Sequence, residues 1–295
     1  MVLEPTLGST IGVALLGGFA TSMLYGVVCS QCYSFFQDRS EQHSYPFVRY
    51  PIATLWILIT VYTALTLQPL YWYAVSNFGD FSKVLDITWS IRALVVLAAI
   101  NDTIVRSCFV YRAWILDVHK SWLSFPLVTL VLCLFGVSLS VGVLSFKMKT
   151  LQDFESIEGV YYANLAMIVV VDLAIAARLT FLLASMRQNF VKRTDSLLTV
   201  MMAYTINTGL ITSLVSIASL IAYATMPNNY VFVAVFFPLS PLYINALMAS
   251  YNAKHWVRDN PVKDVEFFDG SVRIRFMRTT ETCISPPDSR RATAC

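Results

Sequence analysis

Charged side chains are scarce in this chain. Asp, Glu, Lys and Arg make up 13% of its 295 residues, whereas an ordinary soluble domain carries about a quarter. Four stretches hold no charge at all, residues 5–37, 50–79, 121–146 and 196–253. Such long uncharged stretches predict an integral membrane protein. The net charge of +3 is too small for the dense basic patch of a nucleic-acid-binding protein, so that class is excluded.

Metal-binding and catalytic motifs are also missing. The three histidines, His43, His119 and His255, are scattered, whereas a zinc site needs several His or Cys ligands at one depth. The sequence holds no phosphate-binding glycine loop, no Gly-x-Ser-x-Gly elbow and no His-Glu-x-x-His motif. We therefore expect no metal, no cofactor and no enzymatic activity. The single exception would be chemistry on an intramembrane carboxylate pair, Asp102 and Asp172.

Seven apolar segments are long enough to cross a membrane, since about 20 apolar residues span a hydrocarbon core of roughly 30 Å. The uncharged stretch 196–253 must fold back, and Met226-Pro227-Asn228-Asn229 is typical of a turn. The predicted spans lie near residues 11–32, 52–73, 87–111, 123–146, 161–184, 197–224 and 231–250. The predicted fold is an all-α, seven-transmembrane-helix bundle over residues 1–253. No span contains lysine, which excludes a retinal protein with a Schiff-base lysine.

Lysine and arginine are divided unequally between the two sides of these spans. Three lie on the side of the N-terminus, fifteen lie on the opposite side and three lie inside spans. Because cytoplasmic segments hold the excess, we predict that the N-terminus is outside and the C-terminus is in the cytoplasm. The predicted location is the plasma membrane, as a multi-pass protein. No cysteine falls in the predicted outer segments, so no extracellular disulfide framework is expected.

The third and fifth spans carry charges inside the membrane, where such residues must face protein or water. Asp102 and Arg106 are four residues apart and share a helix face, so they can pair with each other. A static ion pair, a switch and a transport element are the alternatives for this pair. Asp172 and Arg178 lie on different faces of the fifth helix. Each needs a partner from another helix, and Arg106 or Asn207 are the candidates.

Polar residues also mark the last two spans. Asn207 lies among hydroxyls and a glycine, a composition that close helix packing alone explains; ligand contact is the alternative. Pro238 and Pro241 predict a kink in the seventh span, which is either a hinge or a static bend, and Tyr243 and Asn245 follow them. The predicted intramembrane polar cluster, a candidate ligand or switch site, consists of Asp102, Arg106, Asp172, Arg178, Asn207, Tyr243 and Asn245.

The short cytoplasmic tail, residues 254–295, carries one local signal. Asp269-Gly270 lies between partly alternating apolar residues over 265–276, which predicts a β-hairpin. After Thr279 the Pro, Ser, Thr and Arg content is typical of disorder. We therefore expect a tail that is partly disordered.

Several motifs in the C-terminal half are distinctive. They are Asp172 in the fifth span, residues 205–213 in the sixth, Met226-Pro227-Asn228 in the turn, and residues 242–247 followed by Asn252-Ala253-Lys254. Over about residues 160–254 the chain resembles a family of seven-span membrane proteins of mushroom-forming fungi that carry a C-terminal domain of unknown function. Lys254 stands where the resemblance leads us to expect arginine. The resemblance implies a fungal source and a seven-span architecture, but no mechanism.

The leading functional hypothesis is a receptor-like protein that senses a small or lipophilic ligand and signals to a cytoplasmic protein. The alternatives are a small-molecule transporter and a structural membrane protein. No repeat relates spans one to three to spans five to seven, which counts against a transporter built from such repeats. The expected partners are the lipid bilayer, a small ligand and a cytoplasmic signalling protein.

Overall fold

The computed structural model describes residues 12–37, 46–77, 87–117, 124–148, 158–187, 211–225, 231–259, 262–268 and 271–276. Within these ranges the chain forms eight α-helices. They are α1 (Val13–Gln37), α2 (Pro46–Tyr71), α3 (Trp89–Leu116), α4 (Ser124–Ser145), α5 (Glu158–Arg187), α6 (Ile211–Thr225), α7 (Val231–Phe236) and α8 (Leu239–Asp259). A π-helical turn, Trp72–Ser76, extends α2.

Six described segments are long and apolar enough to cross a membrane. They are Val13–Gln37, Arg49–Ser76, Trp89–Leu116, Phe125–Ser145, Glu158–Ser185 and Ala234–Asn252, and Ile211–Thr225 is a shorter apolar helix. The chain is therefore a multi-pass integral membrane protein. The first part of the predicted sixth span, including Asn207, and the predicted turn 226–229 lie outside the described residues.

The surface of the bundle is apolar and polar groups lie inside it. Leu16, Met23 and Phe181 are 68%, 74% and 66% exposed, whereas Asn101 and Asp172 are 0% and 6% exposed. This is the reverse of a water-soluble protein. It agrees with a bundle whose outer face meets lipid and whose costly polar side chains face protein.

Helix α3 lies at the centre of the bundle and packs against α2, α4, α5 and α8, while α1 packs against α2, α7 and α8. The contact between α1 and α7 is very close. A Cβ atom on Gly17 would lie 2.4 Å from the carbonyl oxygen of Ala234, so this position accepts only glycine without a backbone shift.

Most helices extend past the predicted spans at one end of the bundle. We call the two ends the Val13 end and the Gln37 end, after the first and last residues of α1. Helices α1, α2, α3, α5 and α8 all continue beyond spans 11–32, 52–73, 87–111, 161–184 and 231–250 at the Gln37 end. The predicted bounds followed the apolar stretch, whereas backbone hydrogen bonding does not have to stop at the hydrocarbon boundary.

The predicted kink in the last span is confirmed as an interruption between α7 and α8 at Phe237 and Pro238. Pro241 lies in the first turn of α8, where a missing N–H removes no helical bond. The Phe237 carbonyl that the interruption frees accepts a hydrogen bond of 2.9 Å from the Tyr62 hydroxyl of α2. A buried backbone acceptor is thus satisfied from another helix.

The hairpin predicted in the tail is confirmed. Strands β1 (Val262–Phe268) and β2 (Ser271–Phe276) pair antiparallel, with Phe268 opposite Ser271. The segment predicted to be disordered, after Thr279, lies outside the described residues.

Candidate functional site

Three buried polar side chains from three helices meet inside the bundle. Arg106 of α3 donates from Nε to Asp172 Oδ1 of α5 at 3.0 Å and from Nη2 to the Tyr243 hydroxyl of α8 at 2.8 Å. The Tyr243 hydroxyl donates to the second carboxylate oxygen of Asp172. The guanidinium carbon also lies 4.7 Å from the centre of the Tyr243 ring. We call these three residues the polar lock.

The polar lock satisfies the main requirement for burying charge in a low-dielectric interior. The Arg106 and Asp172 side chains are each 4% exposed, and an unpaired charge at such depth costs several kcal/mol. Each member bonds to the other two, so the ion pair is closed by a neutral hydroxyl group. The consequence is that α3, α5 and α8 are tied together at one depth.

Asp102 lies one turn before Arg106 on α3 and is 4% exposed, yet it does not join the lock. The predicted ion pair between Asp102 and Arg106 is not formed, since Arg106 pairs with Asp172 instead. Asp172 and Tyr243 together give the guanidinium a closed ring of bonds that Asp102 alone does not offer. Among the described residues nothing donates to Asp102 Oδ1, although the Ser240 hydroxyl lies close to this carboxylate.

A cavity lies between α3, α4, α5 and α7, on the Val13 side of the polar lock. About 70 Å³ of it is accessible to the centre of a water molecule. On α3 it runs from Ile91 to Asp102 and Arg106, which are its deepest lining residues along that helix. Polar groups on the facing helices are Ser138 and Asn164, joined by a hydrogen bond of 2.7 Å. We call it the central cavity.

Aromatic rings form the wall of the central cavity towards the Val13 end. Tyr161 of α5, Tyr223 of α6 and Phe232 of α7 meet edge to face, with ring centres 5.1–5.9 Å apart. Tyr161 and Phe232 line the cavity, as do Phe236 and Phe237. The cavity therefore combines an aromatic wall with a charged inner end.

Arg178 is not part of the polar lock. Its Nη2 atom donates to Asp117 Oδ2 at 2.7 Å, and this second ion pair links α5 to the residue that follows α3. Of the predicted partners, Arg106 is confirmed as that of Asp172, Arg178 binds Asp117, which was not predicted, and Asn207 lies outside the described residues. Asp117 escaped the sequence analysis because it lies beyond the predicted third span. The only available signal was that Asp117 is a charged residue just after the end of the predicted third span.

Asn245 also lies away from the polar lock. Its amide donates to the Leu24 carbonyl of α1 at 3.0 Å, and Asn252, two turns later, donates to the Gln31 carbonyl at 3.1 Å. These two asparagines attach α8 to α1. Between these two asparagines along α8, the Ser250 hydroxyl accepts a hydrogen bond from Arg112 of α3.

A second cavity, of about 340 Å³, lies between α3 and α4 towards the Gln37 end. Its lining is almost entirely apolar and includes Tyr111, Trp114, Phe125 and Leu132. Trp114, Phe125 and Leu132 are 50%, 65% and 61% exposed. This groove opens on the apolar outer surface and does not reach the polar lock.

Comparison with known families places one domain on the chain. The model of a family described as a family of unknown function (DUF6534) matches residues 168–256. The matched segment contains Asp172 and Tyr243 of the polar lock and Asn245 and Asn252, but not Arg106. No curated protein and no solved structure is detectably similar to the chain.

Proposed function

We propose that this protein is a receptor-like, seven-helix membrane protein in which a small ligand in the central cavity sets the state of the polar lock. The supporting observation is the double role of Arg106. Its side chain lines the central cavity and also bonds to Asp172 and Tyr243. A change at the inner end of the cavity therefore acts directly on the bonds that hold α3, α5 and α8.

The directions of the helices support a seventh crossing. Asn245 and Asn252 of α8 bond to Leu24 and Gln31 of α1, so residue numbers rise together and the two helices are parallel. In a chain that crosses back and forth, the first and last helices are parallel only when the number of crossings is odd. With six crossings they would be antiparallel. The apolar helix α6, Ile211–Thr225, would supply the missing crossing.

The charge distribution supports an orientation with the N-terminus outside. Fifteen Lys and Arg residues fall on the side of the C-terminus and three on the side of the N-terminus, and cytoplasmic segments hold the excess. In this orientation the central cavity lies towards the outside and the Gln37 end faces the cytoplasm. We propose the plasma membrane as the protein's location. We also propose a fungal source, because of the sequence resemblance over about residues 160–254.

The mechanism is a shift of packed helices. Loss or rearrangement of the Arg106 bonds would let α5 and α8 move relative to α3 at the Gln37 end, and helix shifts of about 1–2 Å are sufficient in known switching proteins. A cytoplasmic signalling protein would bind the altered surface. The proposed role needs no catalysis and no nucleic acid. A lipophilic ligand would have a separate site in the groove between α3 and α4.

The proposal is tested by measuring the distance between α3 and α5 in lipid nanodiscs. Spin labels at Ile115 and Phe181, which are 59% and 66% exposed, report on the Gln37 half of these helices. We expect Asp172→Asn and Tyr243→Phe to shift or broaden the distance distribution by about 2 Å or more. Thr103→Val on α3 is the control, because among the described residues Thr103 bonds only to the Ala99 carbonyl of its own helix.

Unchanged distances in both lock variants would show that the polar lock does not hold α3 against α5. A second measurement separates receptor from transporter. Purified protein in sealed vesicles is tested for uptake of radiolabelled methylammonium. Protein-dependent uptake that saturates would overturn the receptor proposal, whereas a receptor leaves the tracer outside.

A further inference from the structure

We infer that the central cavity binds a small monovalent cation at Asp102, either an alkali-metal ion or the ammonium group of a short amine. This inference rests on the proposed ligand-binding role of the cavity and names the chemistry of the occupant. The balance of buried charge, the unpartnered carboxylate oxygen of Asp102 and the size of the cavity support it.

The buried charge around the polar lock does not balance. Helices α1, α4, α6 and α7 contain no charged side chain, because they lie within the uncharged stretches 5–37, 121–146 and 196–253. In α2 and α8 the uncharged part runs from the Val13 end of the bundle to beyond the depth of the polar lock, since stretches 50–79 and 196–253 cover it. The charges at this depth are Asp102, Arg106 and Asp172, all buried. Among the described residues, one arginine against two carboxylates leaves one carboxylate without a counter-ion.

The other intramembrane arginines cannot supply that counter-ion. Arg178 is already paired with Asp117. Arg92 donates to the Ile87 carbonyl at the start of α3, and ten residues of helix place it about 15 Å from Asp102 along the axis. Since Arg106 is engaged by Asp172 and Tyr243, the excess negative charge belongs to Asp102.

The Asp102 carboxylate is positioned to bind a cation. It is more than nine-tenths buried, lines the central cavity, and its Oδ1 atom has no donor among the described residues. The Ser240 hydroxyl lies close to the same carboxylate. A buried carboxylate oxygen without a partner is costly, and a cation with an oxygen-binding preference, or an ammonium that donates hydrogen bonds, would stabilise the carboxylate.

The cavity restricts the size of the cation. With about 70 Å³ accessible to the centre of a water molecule, it holds a few water molecules, an ion with part of its hydration shell, or a short amine. Tyr161 and Phe232 line its wall, and aromatic rings of this kind can attract a positive charge. A bulky organic cation would not fit.

Cation binding at Asp102 would also act on the polar lock. A positive charge on Asp102 cancels its attraction for Arg106 and repels the guanidinium, which favours the bonds of Arg106 to Asp172 and Tyr243. We therefore expect the occupied cavity to hold α3 against α5 and α8, and the empty cavity to loosen this contact.

Thermal unfolding of the full chain in nanodiscs of neutral lipid tests the site. The chlorides of sodium, potassium and methylammonium are titrated against N-methyl-D-glucamine chloride, which keeps the ionic strength constant and is too large for the cavity. We expect at least one small cation to raise the melting temperature by about 2–4 °C in a saturable way. Asp102→Asn should remove this rise, and Thr103→Val should keep it.

A second variant keeps the test valid if Asp102→Asn fails to fold. Ala98→Leu, one turn before Asp102 in the cavity wall, leaves the carboxylate in place and fills the space, so it should also remove the rise. Identical melting curves in all four salts, or an equal rise in Asp102→Asn, would overturn the inference. If the cation binds but the spin-label distances stay fixed, the site stands and the receptor proposal fails.

Discussion

Arg106 of α3 bonds to Asp172 of α5 at 3.0 Å, although Asp102 lies one turn away on the same helix as Arg106. The choice of the distant partner has two results. It ties together two helices whose contacting residues are 66 positions apart in the chain. Among the described residues, it leaves Asp102, which lines the cavity, without a counter-ion. The structural role of Asp172 and the binding role proposed for Asp102 follow from this single relationship.

A double-mutant cycle measures the coupling between the two carboxylates. Asp172→Asn removes the partner of a buried arginine, which we expect to lower the free energy of unfolding by about 3 kcal/mol. Asp102 can then take over part of the pairing, so Asp172→Asn should cost more in an Asp102→Asn background. Thermal or denaturant unfolding gives the four values, and strict additivity would show that Asp102 cannot reach Arg106.

The close contact of α1 with α7 makes Gly17 sensitive to substitution. Gly17→Ala places a methyl group against the Ala234 backbone, and such overpacking costs about 1–3 kcal/mol. Gly26→Ala on the same helix is the matched control, because a Cβ there meets nothing within 4 Å. It should leave stability unchanged or raise it by up to about 1 kcal/mol, through helix propensity. Equal melting temperatures for the two variants would contradict the close contact.

Tyr62 supports the interruption between α7 and α8. Tyr62→Phe removes the donor to the buried Phe237 carbonyl, and an unsatisfied buried acceptor costs about 1–3 kcal/mol. The control is Tyr25→Phe, whose hydroxyl shares an exposed hydrogen bond of 3.1 Å with Thr60. We expect a clear fall in melting temperature for the first variant and almost none for the second. A similar fall in both would assign the effect to the loss of any tyrosine hydroxyl.

The charge distribution predicts which side of the membrane each terminus faces. An epitope fused to the N-terminus should bind antibody on intact cells, and one fused to the C-terminus should bind only after permeabilisation, because the side of the C-terminus carries the excess of Lys and Arg. Surface labelling by flow cytometry decides between the two orientations. The same accessibility for both termini would mean an even number of crossings.

Features that depend on local composition could be predicted from the sequence. The span near 123–146 matches α4, Ser124–Ser145, almost residue for residue, because two charged residues bound its uncharged stretch. The interruption at Pro238 and the hairpin around Asp269-Gly270 were also predictable. In each of these cases the signal is a short segment acting through its own backbone.

The candidate site was predictable only in part. The buried charges Asp102, Arg106 and Asp172 stand out by their depth, and the requirement for a partner on another helix follows from the cost of burying them. The sequence offered Arg106 as a candidate partner of Asp172, but it did not decide between Asp102 and Asp172 as the residue that Arg106 binds. The sequence gives no reason to connect Asp117 with Arg178. It also gives no reason to expect that Asn252 binds α1.

The amino-acid sequence by itself determined that this chain lives in a membrane, because uncharged stretches of such length are stable only in lipid. It also determined that its few intramembrane charges must turn inward. Only the tertiary structure decided that Arg106 binds Asp172 and Tyr243, that Asp102 faces a cavity, and that Asn245 holds α8 to α1. These contacts depend on the rotation and neighbours of each helix, which are set by packing between segments far apart in the chain.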